Sequence, residues 1–249
     1  MFAFVGVLIA LVVVWVCVAA TGHTARNYTV ATDDAKLVLH GDTLTAACIA
    51  AIYAPHIYTS DRNDDHTEAL EMWYEVVMPQ GKPNDVLLVY HTTWRDEIHP
   101  DPVIHTLYRT YRAARYGTHD IEFVQIGVNT LDGTIRQIIT EARARSKAFA
   151  TGSQQHLLEV TMCHLDAHGS SYTRTCGQGK EKVVEPQFPL LLDDRTHVRL
   201  GVVSWNHLTS VCLDSTYRTL EPFHLAYLDD ATYRREKMSR RSNADRVVR

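Results

Sequence analysis

The chain has 249 residues, of which 45% are hydrophobic and 22% are charged, and its formal net charge is −4. This composition is that of a globular domain of ordinary size with few glycines and prolines. The overall negative charge argues against nucleic acid as the partner.

The first predicted element is an apolar segment over residues 2–20, which contains no charged residue. A helix of this length is about 28 Å long and matches a hydrocarbon core about 30 Å thick. The alternative is a cleavable signal peptide, with Val18 and Ala20 as small residues before the cleavage site. No basic region precedes the apolar run, so we predict a transmembrane anchor over residues 1–21 and a membrane-proximal region over residues 22–65.

The next elements alternate between helical and strand patterns. Residues 66–78 place apolar side chains at helical spacing, and residues 86–90 form a continuous apolar run that is typical of a strand buried on both faces. Residues 101–116 have Asp101 and Pro102 at a helix start and Gly117 after its end. Ahead of these elements, the sequence predicts a helix at 44–57. After them it predicts a strand at 121–128, a helix at 132–144, strands at 189–192 and 197–203, and a helix capped by Ser204. This alternation predicts an α/β domain over residues 66–230, with an insertion at about 145–185.

The element order resembles the thioredoxin family, over residues 66–144 and 183–220. Two local features carry the resemblance: Trp94 ends the first buried strand before a long helix, and Pro189 opens a later strand. The resemblance implies a thioredoxin-like three-layer α/β domain behind the transmembrane helix. It also implies that strands 86–90 and 121–128 are adjacent and parallel, and that Pro189 follows a cis bond and lies near Trp94.

The redox residues of that family are missing. Arg95 and Ile98 occupy the two cysteine positions after Trp94, and Val89 occupies the position of the buried acid. Thiol–disulfide exchange needs an attacking thiolate and a resolving thiol. The resemblance therefore implies a degenerate, redox-inactive site at Trp94, Arg95, Ile98 and Pro189.

Two clusters of candidate metal ligands lack zinc spacing, so we expect no metal and no cofactor. The first comprises His91, His99 and His105 with Asp96, Glu97 and Asp101, and the second comprises Cys163, His164, His168 and Cys176. Cys48, Cys163, Cys176 and Cys212 can form two disulfides or remain thiols.

Two groups of basic residues are candidate partner-binding surfaces. Arg109, Arg112 and Arg115 recur every third residue on the predicted helix and can face solvent or an acidic partner. A basic tail over residues 231–249 follows the domain. It contains Arg234, Arg235, Arg240 and Arg241.

These features predict a non-catalytic accessory subunit of a membrane-associated assembly. Its expected partners are other subunits and membrane lipid, in a mitochondrial inner membrane, an endoplasmic reticulum membrane or a membrane-containing virion. The alternative is a membrane-anchored oxidoreductase or metal-dependent enzyme that uses the cysteines and histidines outside the degenerate motif.

Overall fold

The computed structural model describes most of the chain after residue 27. The described residues are 28–60, 69–96, 101–117, 119–143, 156–166, 169–177, 182–204, 206–211 and 217–238. In chain order the strands are β1 (Tyr28–Ala31), β2 (Lys36–Leu39), β3 (Asp42–Thr45), β4 (His56–Ser60), β5 (Ala69–Pro79), β6 (Asp85–Trp94), β7 (Asp120–Asn129), β8 (Ile135–Arg143), β9 (His156–Asp166), β10 (Gly169–Cys176), β11 (Val183–Phe188), β12 (Leu192–Asp193), β13 (His197–Val202), β14 (Thr209–Val211), β15 (Tyr217–Leu220) and β16 (His224–Tyr227). The helices within these ranges are α1 (Ala46–Ile52), α2 (Pro102–Arg115) and α3 (Asp230–Arg235).

The larger sheet is a run of antiparallel neighbours in the order β1-β5-β6-β7-β8-β9-β10-β11. From β5 to β11 each strand pairs with the next one along the chain, so this part of the sheet is a meander. One parallel strand, β16, pairs with β5 at residues 71–74, next to the stretch that β1 covers.

A smaller sheet has the order β12-β13-β4-β15, and β14 pairs with β13 beside β12. Strands β4 and β13 are parallel although they are far apart in the sequence, with Arg199 opposite His56 and Gly201 opposite Tyr58. Strands β2 and β3 form a separate hairpin.

The main core lies between one face of the larger sheet, the smaller sheet and α1. Alternate residues of β5 enter it, namely Met72, Tyr74 and Val76, because successive side chains of a strand point to opposite faces. The buried Tyr90 hydroxyl donates to the carbonyl oxygen of Ala50 at 2.7 Å, which ties β6 to α1.

The opposite face of the larger sheet carries a second, smaller apolar cluster. Trp73 of β5 packs there with Leu228 and Met238, and Tyr233 of α3 contacts the same cluster. Both faces of β5 are therefore covered.

Two predicted helices are strands, and the packing explains why their patterns resembled helices. Residues 66–78 include most of β5, whose two buried faces allow apolar residues at both helical and strand spacing. Residues 132–144 include β8, where a register shift opposite Val128 lets Ile135 and Ile138 both face the core. A β-bulge therefore produces the three-residue spacing that the sequence suggests is helical.

Other predictions from the pattern are also corrected. Within the helix predicted after Ser204, residues 209–211 form the strand β14, and β9 and β10 within residues 145–185 continue the larger sheet instead of forming an insertion. The helix predicted at 44–57 is the shorter α1.

The strands at 86–90 and 121–128 are adjacent, but the prediction that they are parallel is wrong. They belong to β6 and β7, which pair antiparallel from Asp85↔Asn129 to Trp94↔Asp120. The last residue of β6 and the first residue of β7 therefore lie side by side at one end of the sheet, and the chain between them contains α2. A helix in such a connection does not have to cross a sheet face, whereas the helix of a parallel crossover does.

The fold is therefore not the predicted thioredoxin-like three-layer α/β domain, because its sheets are mostly antiparallel. Pro189 follows β11, which four strands separate from β6, and the bond before Pro189 is trans. The predicted anchor over residues 1–21 lies outside the described residues. None of the helices in the described ranges is long and apolar enough to span a membrane. The described residues therefore do not support the single-pass membrane prediction, or the mitochondrial, endoplasmic reticulum and virion membranes that followed from it.

Gly133 in the β7–β8 turn tests the fold at a tight contact. Its φ is +65°, and a Cβ built there would clash with His40 and with the Tyr53 hydroxyl, which donates to the Gly133 carbonyl oxygen at 2.9 Å. Gly81 has a φ of +76° with open space around it, so it is the matched control.

We expect Gly81→Ala to lower the free energy of unfolding by about 1–2 kcal/mol through backbone strain. Gly133→Ala should lower it by about 2 kcal/mol more, through overpacking. Urea denaturation measures both values, and equal losses would contradict the described contact.

Candidate functional site

The Asp120 carboxylate is the centre of a buried polar cluster that joins three elements. Its Oδ1 lies 2.8 Å from Nη2 of Arg112 on α2, and its Oδ2 lies 2.8 Å from Nδ1 of His207 in the β13–β14 loop. The same Nη2 donates to the carbonyl oxygen of His119 at 2.8 Å. All three residues of the cluster are at most 6% exposed, so this carboxylate fixes α2 and the loop to the start of β7.

The β13–β14 loop presents His207 to this cluster through a tight turn. The His207 N–H donates to the Ser204 carbonyl oxygen at 3.1 Å, and the Ser204 hydroxyl oxygen accepts from the Leu208 N–H at 3.0 Å. His207 has a φ of +57°, which aims its imidazole back at the larger sheet. The ring stacks on Trp94 with centroids 4.3 Å apart and planes inclined by 6°.

This cluster is closed to a substrate. A general base must reach the proton that it removes. The His207 ring is covered on one face by Trp94, and the whole residue is 4% exposed. Trp94 is itself 1% exposed, and its Nε1 has no hydrogen-bond partner among the residues that the structure describes. The arrangement is therefore suited to holding elements together and not to proton transfer with a solute.

The outer side of α2 is apolar and open to solvent. Val103 is 73% exposed, Leu107 72%, Tyr111 57% and Ile104 42%, and we call these four residues the α2 stripe. Successive residues of an α-helix are rotated by about 100° around its axis. The four side chains of the α2 stripe therefore lie within a sector of about 100° around that axis, and the centre of the sector is about 125° away from Arg112. The helix is thus attached through a charged side chain and turns its large apolar side chains outward.

The helix start and the other arginines of α2 are held by local contacts. The Asp101 carboxylate caps the helix by accepting from the N–H groups of Val103 and Ile104 at 2.9 and 3.2 Å. Arg109 pairs with Asp96 at 3.1 Å, and Arg115 lies over the ring of Tyr116 at 5.6 Å.

The predicted basic surface is only partly available to a partner. Arg112 is buried against Asp120, so its guanidinium faces the interior and not the helix surface. Arg109, Arg115, Arg234 and Arg235 are exposed, while Arg240 and Arg241 lie outside the described residues. Near the end of α2, Lys237 Nζ donates to the carbonyl oxygens of Ala113 and Ala114 at 3.4 and 3.3 Å, next to α3.

The residues of the degenerate motif do not converge. Trp94 is buried, Arg95 is exposed, and Pro189 is exposed at the far side of the larger sheet. Val89 lies five residues before Trp94 and therefore on the opposite face of β6. Ile98 lies outside the described residues.

The histidines and cysteines of the candidate metal clusters are also apart. His91 is buried on the face of β6 opposite Trp94, where its Nε2 lies 3.1 Å from Glu75 Oε2, whereas His105 is on α2. Glu97, His99 and His168 lie outside the described residues. Within the described parts of the chain, no group of three His, Cys, Asp or Glu residues is arranged to hold a metal ion.

Cys48 and Cys163 are free thiols, and Cys176 is partly buried on β10. In the β9–β10 ladder Cys163 is opposite Tyr172 and Cys176 is opposite Glu159. Four residues of strand therefore separate the two cysteines, about 13 Å, which is beyond the reach of a disulfide. Cys212 lies outside the described residues.

A second buried carboxylate, Glu159 on β9, fixes β14. Both of its oxygens accept from the Ser210 hydroxyl, at 2.9 and 2.8 Å, and Oε1 also accepts from the Val211 N–H at 2.8 Å. Arg174 donates to the Val211 carbonyl oxygen at 2.8 Å and pairs with Glu185 at 2.5 Å. Burial raises the pKa of Glu159, although the Ser210 hydroxyl, Arg174 and the Val211 N–H act in the opposite direction.

Sequence reasoning missed Asp120, His207 and Glu159. Asp120 and His207 are 87 positions apart, so no local spacing links them. The sequence places Asp120 just before the predicted strand at 121–128, Glu159 within the predicted insertion and His207 in the predicted helix after Ser204. A polar side chain among apolar residues is the one local signal, and it is present at Glu159 within β9.

Comparisons with protein-family models, with curated proteins and with solved structures found no match for this chain.

The Arg112–Asp120 pair should dominate the attachment of α2. Removing one partner of a buried pair leaves an uncompensated charge, so we expect Arg112→Met to lower the free energy of unfolding by about 3–5 kcal/mol. The matched control is Arg109→Met, because the Arg109 side chain is 65% exposed and its pair is worth at most about 1 kcal/mol. Urea denaturation measures both, and a loss below about 1 kcal/mol for Arg112→Met would show that the pair does not hold the helix.

Glu159 should make stability depend on pH. Its pKa is raised by burial, so the favourable contribution of its bound proton is complete below the ordinary glutamate pKa. That contribution is lost as the pH rises through the folded-state pKa, where the buried carboxylate must ionise. Glu159→Gln removes the ionisation and keeps an acceptor for the Val211 N–H. The difference in Tm, variant minus wild type, should therefore be more positive at about pH 7.5 than at about pH 4.5. A difference in Tm that is constant over this range would contradict the raised pKa.

Proposed function

We propose that this protein is a non-catalytic binding module that contacts a partner protein through the α2 stripe. The observation that carries the proposal is the exposure of Val103, Leu107 and Tyr111, each more than half accessible, on one side of a single helix. Scattered apolar residues are normal on a protein surface, but a contiguous row of large ones marks an interaction site.

The spacing of the stripe suits recognition by helix packing. Ile104, Leu107 and Tyr111 stand at positions i, i+3 and i+7, the spacing of the anchor residues of a helix that lies in an apolar groove. Fully burying one such side chain is worth about 1.5–3 kcal/mol. Three or four of them supply enough free energy to offset part of the entropy that association removes.

The buried anchor of α2 favours binding. The Arg112–Asp120 pair and the Asp101 cap hold the helix before any partner arrives. A helix that is already ordered loses less conformational entropy on binding than a flexible segment does. The polar anchor thus supports the role of the apolar stripe.

Two further features favour a non-catalytic role over an enzyme. The acid–imidazole pair Asp120–His207 is buried and covered by Trp94, and the motif positions Arg95 and Pro189 are exposed at different parts of the larger sheet. The described thiols Cys163 and Cys176 are too far apart on their ladder to act as a dithiol.

Site-specific photo-crosslinking in the cells that produce the protein tests the proposal. A benzophenone side chain at position 107 should give a discrete crosslinked species. Adding Val103→Arg should suppress that species, because the substitution places a charge in the stripe. The matched control position is Leu131, which is 67% exposed in the β7–β8 turn and lies outside the stripe.

The mass of the crosslinked species identifies the partner, which can be another protein or a second copy of the chain. Absence of any species specific to position 107, or an equal yield of the same species at position 131, would contradict the proposal.

A further inference from the structure

We infer that the occupant of the α2 stripe is the α2 stripe of a second copy of this chain, with the two helices antiparallel. This inference rests on the proposed function, because it names the partner of the same surface. It follows from the positions of the charges at the two ends of the stripe.

Asp101 and Arg115 lie at opposite ends of α2 and on the same flank of the stripe. The fourteen residue steps from Asp101 to Arg115 correspond to a rise of about 21 Å and a rotation of about 40° around the helix. Asp101 is exposed at the helix start, and Arg115 is exposed at the last turn. Within the described residues of α2 and its cap, this flank thus exposes a carboxylate at one end and a guanidinium at the other.

A twofold axis perpendicular to two antiparallel helices keeps each flank facing the same flank of its partner. Asp101 of one copy then lies beside Arg115 of the other copy, and the twofold symmetry repeats this contact at the other end. In a parallel pair the twofold axis runs along the helices, so the charged flanks of the two copies lie on opposite sides of the contact and Asp101 does not reach Arg115. Only the antiparallel arrangement places these opposite charges side by side, which favours it.

The apolar side chains of the stripe fit the same arrangement. In an antiparallel pair centred near Leu107, Ile104 opposes Tyr111 of the other copy, and Leu107 lies near the twofold axis. Arg109 points away from the stripe and is occupied by Asp96 at 3.1 Å, so it adds no repulsion. Opposed rows at i, i+3 and i+7 interdigitate as they do in helical bundles.

The charge balance also argues against a strongly acidic partner. The flank of the stripe carries one acid and one base, and an acidic segment would meet Asp101 at the helix start. When two copies of α2 lie antiparallel, the acid at the start of one helix lies beside the base at the end of the other. This favours a second copy over the acidic partner that the arginines suggested.

The contact is small, so the association is weak. A stable interface buries about 800 Å² on each partner, and a single helix about 21 Å long offers less than that area. We therefore expect a reversible dimer with a dissociation constant of about 1–100 μM.

Analytical ultracentrifugation of the full-length chain at several concentrations measures this equilibrium. Leu107→Arg should weaken dimerisation at least about tenfold, since it places two like charges near the axis. Leu131→Arg is the matched control and should leave the dimer unchanged. Arg115→Glu should weaken the dimer about fivefold. Adding Asp101→Asn, which keeps the helix cap, should restore part of that loss.

Disulfide trapping fixes the orientation. In a background with the exposed Cys48 replaced (Cys48→Ser), Ile104→Cys and Tyr111→Cys chains are mixed and oxidised. The antiparallel arrangement predicts that the mixed 104–111 crosslink exceeds both same-position crosslinks. A chain that stays monomeric at all concentrations, a dimer that is insensitive to Leu107→Arg, or dominant same-position crosslinks would each overturn the inference.

The two proposals fail separately. A monomeric chain that still gives a specific crosslink to another protein from position 107 overturns the self-pairing and leaves the binding function standing. A chain that is monomeric and gives no specific crosslink contradicts both.

Discussion

The position of α2 depends on the buried Asp120 carboxylate, because this one group binds a cation from the helix and an imidazole from the opposite sheet. In the low-dielectric interior such a group must be paired, and both of its oxygens are engaged at 2.8 Å. The helix connects two antiparallel strands at the end of the sheet where Trp94 pairs with Asp120, so it does not have to cross a sheet face. A charged side chain supplies the attachment that apolar packing supplies for most helices, and the apolar residues of α2 therefore face outward.

The parts of the fold that local chemistry determines were predictable. Asp101, Pro102 and Gly117 predicted a helix at 101–116, and α2 spans Pro102–Arg115. The apolar runs predicted β6 and β7 because buried strands need apolar side chains on both faces. Nothing in those runs specifies strand direction, since a strand covered on both faces shows the same pattern in either orientation. The order of elements therefore resembled an α/β fold, although the connection through α2 joins antiparallel strands.

The candidate site was predictable only in part, for a related reason. The three-residue spacing of Arg109, Arg112 and Arg115 shows that they are neighbours on a helix, but not which of them faces inward. That choice is made by Asp120, and the position of Asp120 depends on the pairing of β6 with β7. Similarly, Ile135 and Ile138 suggested a helix because a bulge, which depends on the partner strand, changed the period of β8. Each error comes from a long-range contact that overrides a local pattern.

Asp120 and Glu159 together fix residues 207–211 against the larger sheet. Asp120 binds its first half through His207, and Glu159 binds its second half through Ser210 and the Val211 N–H. Apolar contacts between the sheets tolerate small displacements, whereas hydrogen bonds at both ends of one segment do not. A shift of this segment by one residue would break the contacts of both carboxylates at once. These contacts therefore fix the position of the smaller sheet relative to the larger sheet. Because Asp120 is also the anchor of Arg112, the same alignment fixes the direction in which α2 presents its apolar stripe. Every copy of the chain therefore presents the same surface in the same orientation, which is the condition that a twofold contact between copies requires.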